Sequence, residues 1–154
     1  MKQIFGTLMI LFTALTMAQE SSSLRQKQFN LDDNLAIKGY DPVSYFIQEE
    51  PEEGKNNINT EYNGIIYHFS SEKNKTTFLE NPSKYEPQYG GWCAYAMGDD
   101  GTKVSINPKS YKIVDDKLYL FYHTLFSNTL KCWNKDETNL KKNANINWNK
   151  TTTN

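Results

Sequence analysis

Ile65, Tyr67 and Phe69 place large apolar side chains at every second position immediately after Asn63-Gly64, and Tyr62 closes the run before it. A period of two belongs to a strand, and Asn-Gly between apolar runs signals a hairpin. Ile65, Tyr67 and Phe69 therefore share one face, while Ile66 and His68 share the other. A second hairpin is predicted where Asp115-Asp116 separates Tyr111–Val114 from Lys117–Tyr122, with a further short strand over Lys103–Ile106. Upstream, Val43–Phe46 follows Asp41-Pro42, and the proline confines a strand there to a sheet edge. Gln48–Asn59 holds a glutamate cluster, Pro51, Gly54 and repeated Asn, the composition of a solvated loop.

Helical spacing takes over after Ser70. A helix is expected from a Ser71 cap to Asn81, because serine accepts from the free N–H groups of a first turn and Pro82 disfavours helical geometry in its predecessor. Asn81-Pro82 opens a further turn carrying Tyr85. Tyr89–Met97 reads as helical after Gly90-Gly91, and Gly98 to Gly101 ends it. Two more helices are expected over Leu125–Trp133 and Asp136–Trp148, anchored by Phe126, Leu130, Trp133, Leu140, Ala144 and Trp148. The sum is a single α+β domain, a small, mainly antiparallel sheet with short helices packed on it.

The chain has 154 residues, and its ends read differently from its middle. Residues 1–18 hold Lys2, an apolar run and the small-residue exit at Ala18, the pattern of a secretory signal peptide and too short for a membrane span. Residues 19–34 are expected to be a flexible leader, 35–149 the domain, and 150–154 a disordered tail. The product is expected to be periplasmic or secreted, with no transmembrane segment in the mature chain. Without residues 1–18 it carries 16 basic and 18 acidic residues. No clustered basic face points to nucleic acid. Aromatic residues form 14% of a chain whose mean hydropathy is −0.73, so a few large rings must supply the core of a polar protein.

Reactive side chains are scarce. Cys93 lies four residues before Met97, and in a helix both sulfurs would leave one face, an arrangement suited to Cu(I) because soft ligands select soft ions. The same two side chains also serve as core filling. Cys93 and Cys132 are the two cysteines of the chain, and export permits a disulfide between them. His68, Cys93, His123 and Cys132 compose a Cys2His2 set on paper, although without the close ligand pair usual in structural zinc sites. No nucleophile elbow, zinc-protease motif, phosphate loop or dinucleotide fingerprint appears.

Asp41-Pro42-Val43, Tyr62-x-Gly64, Tyr67-x-Phe69-x-Ser71, Phe78, Asn81-Pro82, Tyr85 and Gly90-Gly91-Trp92-Cys93-Ala94 together resemble the YHS domain. Leu118–Leu120, Trp133, Asp136, Ala144 and Trp148 are similar to the longer exported form of that family, so the resemblance covers Ala36–Trp148. In metal-handling relatives cysteines commonly occupy positions that here are Ser44, Ser70 and Asn74. The resemblance implies an exported, non-catalytic binding module of the cell envelope. Its ligand would be a soft transition-metal ion such as copper, held by Cys93 and Met97. The alternative is an envelope protein partner met by an aromatic patch of Tyr85, Tyr89, Trp92 and Tyr95, with no metal.

Overall fold

The computed structural model describes residues 21–153. The expected signal peptide, 1–18, lies outside the described residues, as do 19, 20 and 154. Three tight turns organise the strands, each built from two residues in the left-handed region. Asp33-Asn34 (φ 48° and 68°) joins β1 (Leu31–Asp32) to β2 (Leu35–Ala36), and Asn63-Gly64 (49° and 81°) joins β3 (Lys55–Tyr62) to β4 (Ile65–Phe69). Asp115-Asp116 (51° and 55°) joins β5 (Asn107–Val114) to β6 (Lys117–Phe121). Turns of this hand follow the twist of the strands they connect, and Asn, Asp and Gly adopt them at least cost. The two expected hairpins are both present.

The strands form two sheets rather than one. The larger has the order β1-β2-β4-β3, antiparallel except for the parallel pairing of β2 with β4 through Leu35 and Ile66. The smaller is the β5–β6 hairpin, tied in by a bridge between Pro87 and Leu118. With helices packed around these mostly antiparallel sheets, the chain is α+β. On β4 the expected alternation holds, with Ile65, Tyr67 and Phe69 buried and Ile66 and His68 half-buried.

β6 is buried on both sides. Leu118 and Leu120 join a first core cluster with Val43, Tyr45, Tyr67, Phe69, Phe78 and Cys93, whereas Tyr119 and Phe121 join a second with Tyr89, Met97, Trp133 and Ala144. The strand is thus a wall shared by two cores. Helix α3 (Glu72–Glu80) brings Phe78 to the first cluster, and Ser71 Oγ accepts from Asn74 N at 3.2 Å as its expected cap. Short α4 (Pro82–Tyr85) follows directly, with Pro82 at its first position.

Several expectations fail for identifiable reasons. Val43–Phe46 is not a strand; Ser44–Ile47 forms a one-turn helix, α2, because Asp41 caps the backbone there. Lys103–Ile106 is irregular, and part of the expected 48–59 loop is strand, β3 beginning at Lys55. Over its described residues the expected leader has regular structure: residues 21–28 form a helix, α1, and Asn30 hydrogen-bonds the carbonyls of Gly90 and Gly91. The expected disordered tail is helical through 153, since α7 runs Glu137–Thr153. Phe126, expected as a core anchor, lies outside α6 (Thr129–Trp133) and is exposed. No helix of the described residues is long and apolar enough to cross a membrane.

Helix α5 (Ala94–Asp99) packs against α7 at Gly98, where an added Cβ would stand 2.5 Å from the Leu140 carbonyl oxygen. Alanine ordinarily improves a helix over glycine by about 1 kcal/mol. Here the obstacle is backbone, and overpacking of this kind costs about 1–3 kcal/mol. Gly98→Ala is therefore expected to lower stability by about 1–2 kcal/mol, seen as a melting temperature several degrees lower. An unchanged or raised melting temperature would show that the α5–α7 contact can open.

Candidate functional site

Cys93 stands at the N-cap of α5, with φ −57° and ψ 117°, just outside the helix that holds Met97. Cys93 packs in the first core cluster and Met97 in the second, and both side chains are fully buried. The Cys93 sulfur lies 3.3 Å from the Tyr122 amide, which donates to it, and 3.3 Å from the Thr129 hydroxyl. Cys93 and Cys132 are both free, so the disulfide that export would permit is absent here. His68 is half-buried on β4, and His123 is exposed, bridging Asn128 at the base of a loop. Among the described residues no group of three or more His, Cys, Asp or Glu side chains gathers to hold a metal ion. Of the four rings expected to form an exposed patch, Tyr85 and Tyr89 are buried, and Trp92 and Tyr95 are half-buried.

The densest polar arrangement centres on Asp41, a fully buried carboxylate. Its Oδ1 accepts from the backbone N–H of Val43 at 2.8 Å and of Ser44 at 3.4 Å. Its Oδ2 accepts from Ser70 N and Ser70 Oγ, both at 2.9 Å, and from Asn74 Nδ2 at 2.7 Å. Ser44 Oγ donates to the Asp41 carbonyl at 2.7 Å and accepts from Glu52 N at 3.0 Å. One carboxylate thus ties the start of α2, the end of β4 and the first turn of α3 together. Hydrogen bonds to a charged acceptor contribute about 1.5–3 kcal/mol each, which explains how a carboxylate stays buried among neutral donors.

A separate concavity is an open groove of about 570 Å³ between α1, the Gln88–Gly91 turn and the C-terminal half of α7. Phe29, Tyr89 and Trp148 supply its aromatic surface, and Asn145, Lys117 and Arg25 are among its polar groups. Phe29 meets Trp148 edge to face at 6.2 Å, and Gly90 admits the Trp148 ring where a Cβ would stand 2.8 Å from it. Tyr89 and Gly90 both have positive φ (55° and 59°), which bends this turn. The Tyr89 hydroxyl donates to Asn145 Oδ1 at 3.0 Å, joining the turn to α7.

Arg25 forms one side of the groove. Its guanidinium lies 4.5 Å over the Phe29 ring and donates to Glu86 Oε1 at 2.5 Å. Tyr67 donates to the same oxygen at 2.5 Å, connecting the groove to the core strand β4. Burial first, and the Glu86 charge second, hold the Tyr67 phenol neutral far above the usual tyrosine range. Arg25 Nε is buried without a partner.

Residues 48–89 match the family model for the YHS domain. The chain contains a YHS domain. No curated protein and no solved structure matches the chain. The matched YHS segment spans β3, β4, α3 and α4 and includes Ser70 and Asn74, whereas Asp41, Ser44 and Cys93 lie outside it. Ser44, Ser70 and Asn74 are brought together in space around Asp41. Two of these positions lie in the matched YHS segment and the third just before it, and together with Asp41 they form a polar knot.

Asp41 had a legible signal that the strand expectation overlooked, an acidic side chain whose oxygen reaches the N–H groups two and three residues later, as helix-capping residues do. The groove had none, since its sides come from segments far apart in sequence. Asp41→Ala would strand the Ser70 and Asn74 donors, each unsatisfied buried group costing about 1–3 kcal/mol, and is expected to destabilise the protein by about 3 kcal/mol or more. Ser44→Ala is expected to cost about 1 kcal/mol. Urea unfolding of the two variants measures both, and equal, small effects would refute the central role of the carboxylate.

Proposed function

We propose that this chain is an exported, non-catalytic YHS-type binding module that receives a small polar ligand in the groove between α1, Gln88–Gly91 and α7. The observation that carries this reading is the groove itself, which combines half-buried aromatic surface with convergent hydrogen-bonding side chains, the makeup of ligand sites generally. The polar knot around Asp41 supports a role for the module that does not run through the family's cysteine positions. The apolar stretch and Ala18 exit at the start of the sequence support export.

Shift perturbation in 1H–15N spectra tests the groove, using mono- and oligosaccharides, dicarboxylates and short peptides as probes. The expected result is a set of shifts confined to Arg25, Asn145 and the Trp148 indole, lost in Trp148→Ala. Shifts that map to another surface, or none with any probe, would sink the reading.

A second reading retains a soft metal, Cu(I), on Cys93 and Met97, and rests on the chemistry of a buried thiol and thioether one turn apart in sequence. It requires the thiolate to exchange its contacts with Tyr122 and Thr129 for the ion. Competition for Cu(I) against a chromogenic chelator under reducing conditions separates the two readings. The groove reading expects the wild type and Cys93→Ala to compete equally weakly, and a marked loss of competition in Cys93→Ala would favour the metal.

A further inference from the structure

Leu125 and Phe126 are 96% and 99% exposed, the most exposed large apolar side chains among the described residues. They are adjacent, and they sit at the apex of the loop 123–128. The loop is held in shape: Thr124 N donates to Ser127 O at 2.8 Å, and His123 pairs with Asn128 as an antiparallel bridge. At its base Thr129 N and Thr129 Oγ1 both donate to Tyr122 O, at 3.1 and 2.8 Å. Asn128 Oδ1 then caps α6 by accepting from Lys131 N at 3.2 Å. Two rings of backbone bonds thus present the apolar pair outward and leave it no route back to the core.

Exposed lysines accompany the helix that the loop leads into. From Phe121 to Lys135 the sequence holds Lys131 and Lys135 and no acidic residue. Two acids follow this stretch, Asp136, which accepts from Asn139, and Glu137, which is paired with Lys112. Lys131 and Lys135 are exposed on and just after α6, the helix that the loop leads into. A convex apolar tip beside unpaired cations needs an apolar phase under a negative surface. A bilayer with anionic headgroups offers both without requiring a shaped pocket.

We propose that the 123–128 loop is a shallow membrane anchor, inserting Leu125 and Phe126 into a lipid surface with anionic headgroups while Lys131 and Lys135 meet those headgroups. The groove is left free by this pose. β6 begins at Lys117 on the groove and ends at Phe121, so the loop lies at the far end of that strand. The anchor does not depend on what the groove holds.

The test uses the natively purified protein with sedimentable vesicles, one set of phosphatidylcholine alone and one containing 30 mol% phosphatidylglycerol, a fraction chosen as roughly that of a strongly anionic bilayer. Retention on the anionic vesicles is expected, weakened by added salt, and the double substitution Leu125→Ser/Phe126→Ser is expected to reduce it about a hundredfold. Both residues are solvent-exposed, so circular dichroism and melting temperature should not change. Phe126→Trp supplies an independent signal, a blue shift of its emission on the anionic vesicles. Undiminished retention in the double variant overturns the proposal, as does no retention of the wild type. A concentration-dependent dimer that the double variant abolishes, without vesicle retention, would assign the tip to a second copy and also overturn it.

Discussion

A carboxylate removed from water must be met by donors from every direction that water would have supplied, and Asp41 imposes that requirement on three separate segments. Val43 and Ser44 answer from the next turn of chain, Ser70 from the end of β4, and Asn74 from α3. Because the interior lowers the local dielectric, each of these bonds is stronger than its equivalent on the surface, and the loss of any one is felt by the others. The arrangement fixes where α3 leaves the sheet. It thereby sets the position of Phe78, which packs against Tyr67 and Phe69 with ring centroids 4.8 and 5.3 Å apart.

Local signals were readable wherever neighbours in sequence are neighbours in space. The Asn63-Gly64 and Asp115-Asp116 turns, the Ser71 cap and the alternation of β4 all depend on residues a few positions apart. Cys93 shows the limit. Its sequence spacing from Met97 is helical, but Cys93 stands at the N-cap of α5, with φ −57° and ψ 117°, and the two side chains pack in different core clusters. The leader and the tail show a different limit. Their composition is polar and their periodicity weak, and they are ordered by partners far away in sequence: Gln28 O accepts from Trp92, and Phe29 meets Trp148.

The groove follows from that long-range closure. Neither α1 nor the end of α7 has enough apolar surface to fold alone, and a short isolated helix is marginal in water. Docked on the Gln88–Gly91 turn, they bury Phe29 and Trp148 only in part and leave amide and guanidinium groups along the seam. The same event therefore creates the structure of both termini and the concave surface between them. Glu86 connects this seam to the interior, since one of its oxygens receives both Arg25 and Tyr67.

The two-sided burial of β6 bears on what a domain boundary means here. The stretch recognisable as YHS, residues 48–89, ends before this strand, yet Leu118 and Leu120 complete the cluster built by its own Tyr67, Phe69 and Phe78. The other side of the strand closes the cluster around Met97 and Trp133. A unit of sequence similarity and a unit of cooperative unfolding are thus different objects in this protein. Whatever inherits the recognisable stretch without the later hairpin inherits half an interior, and has to find the other half in a new setting.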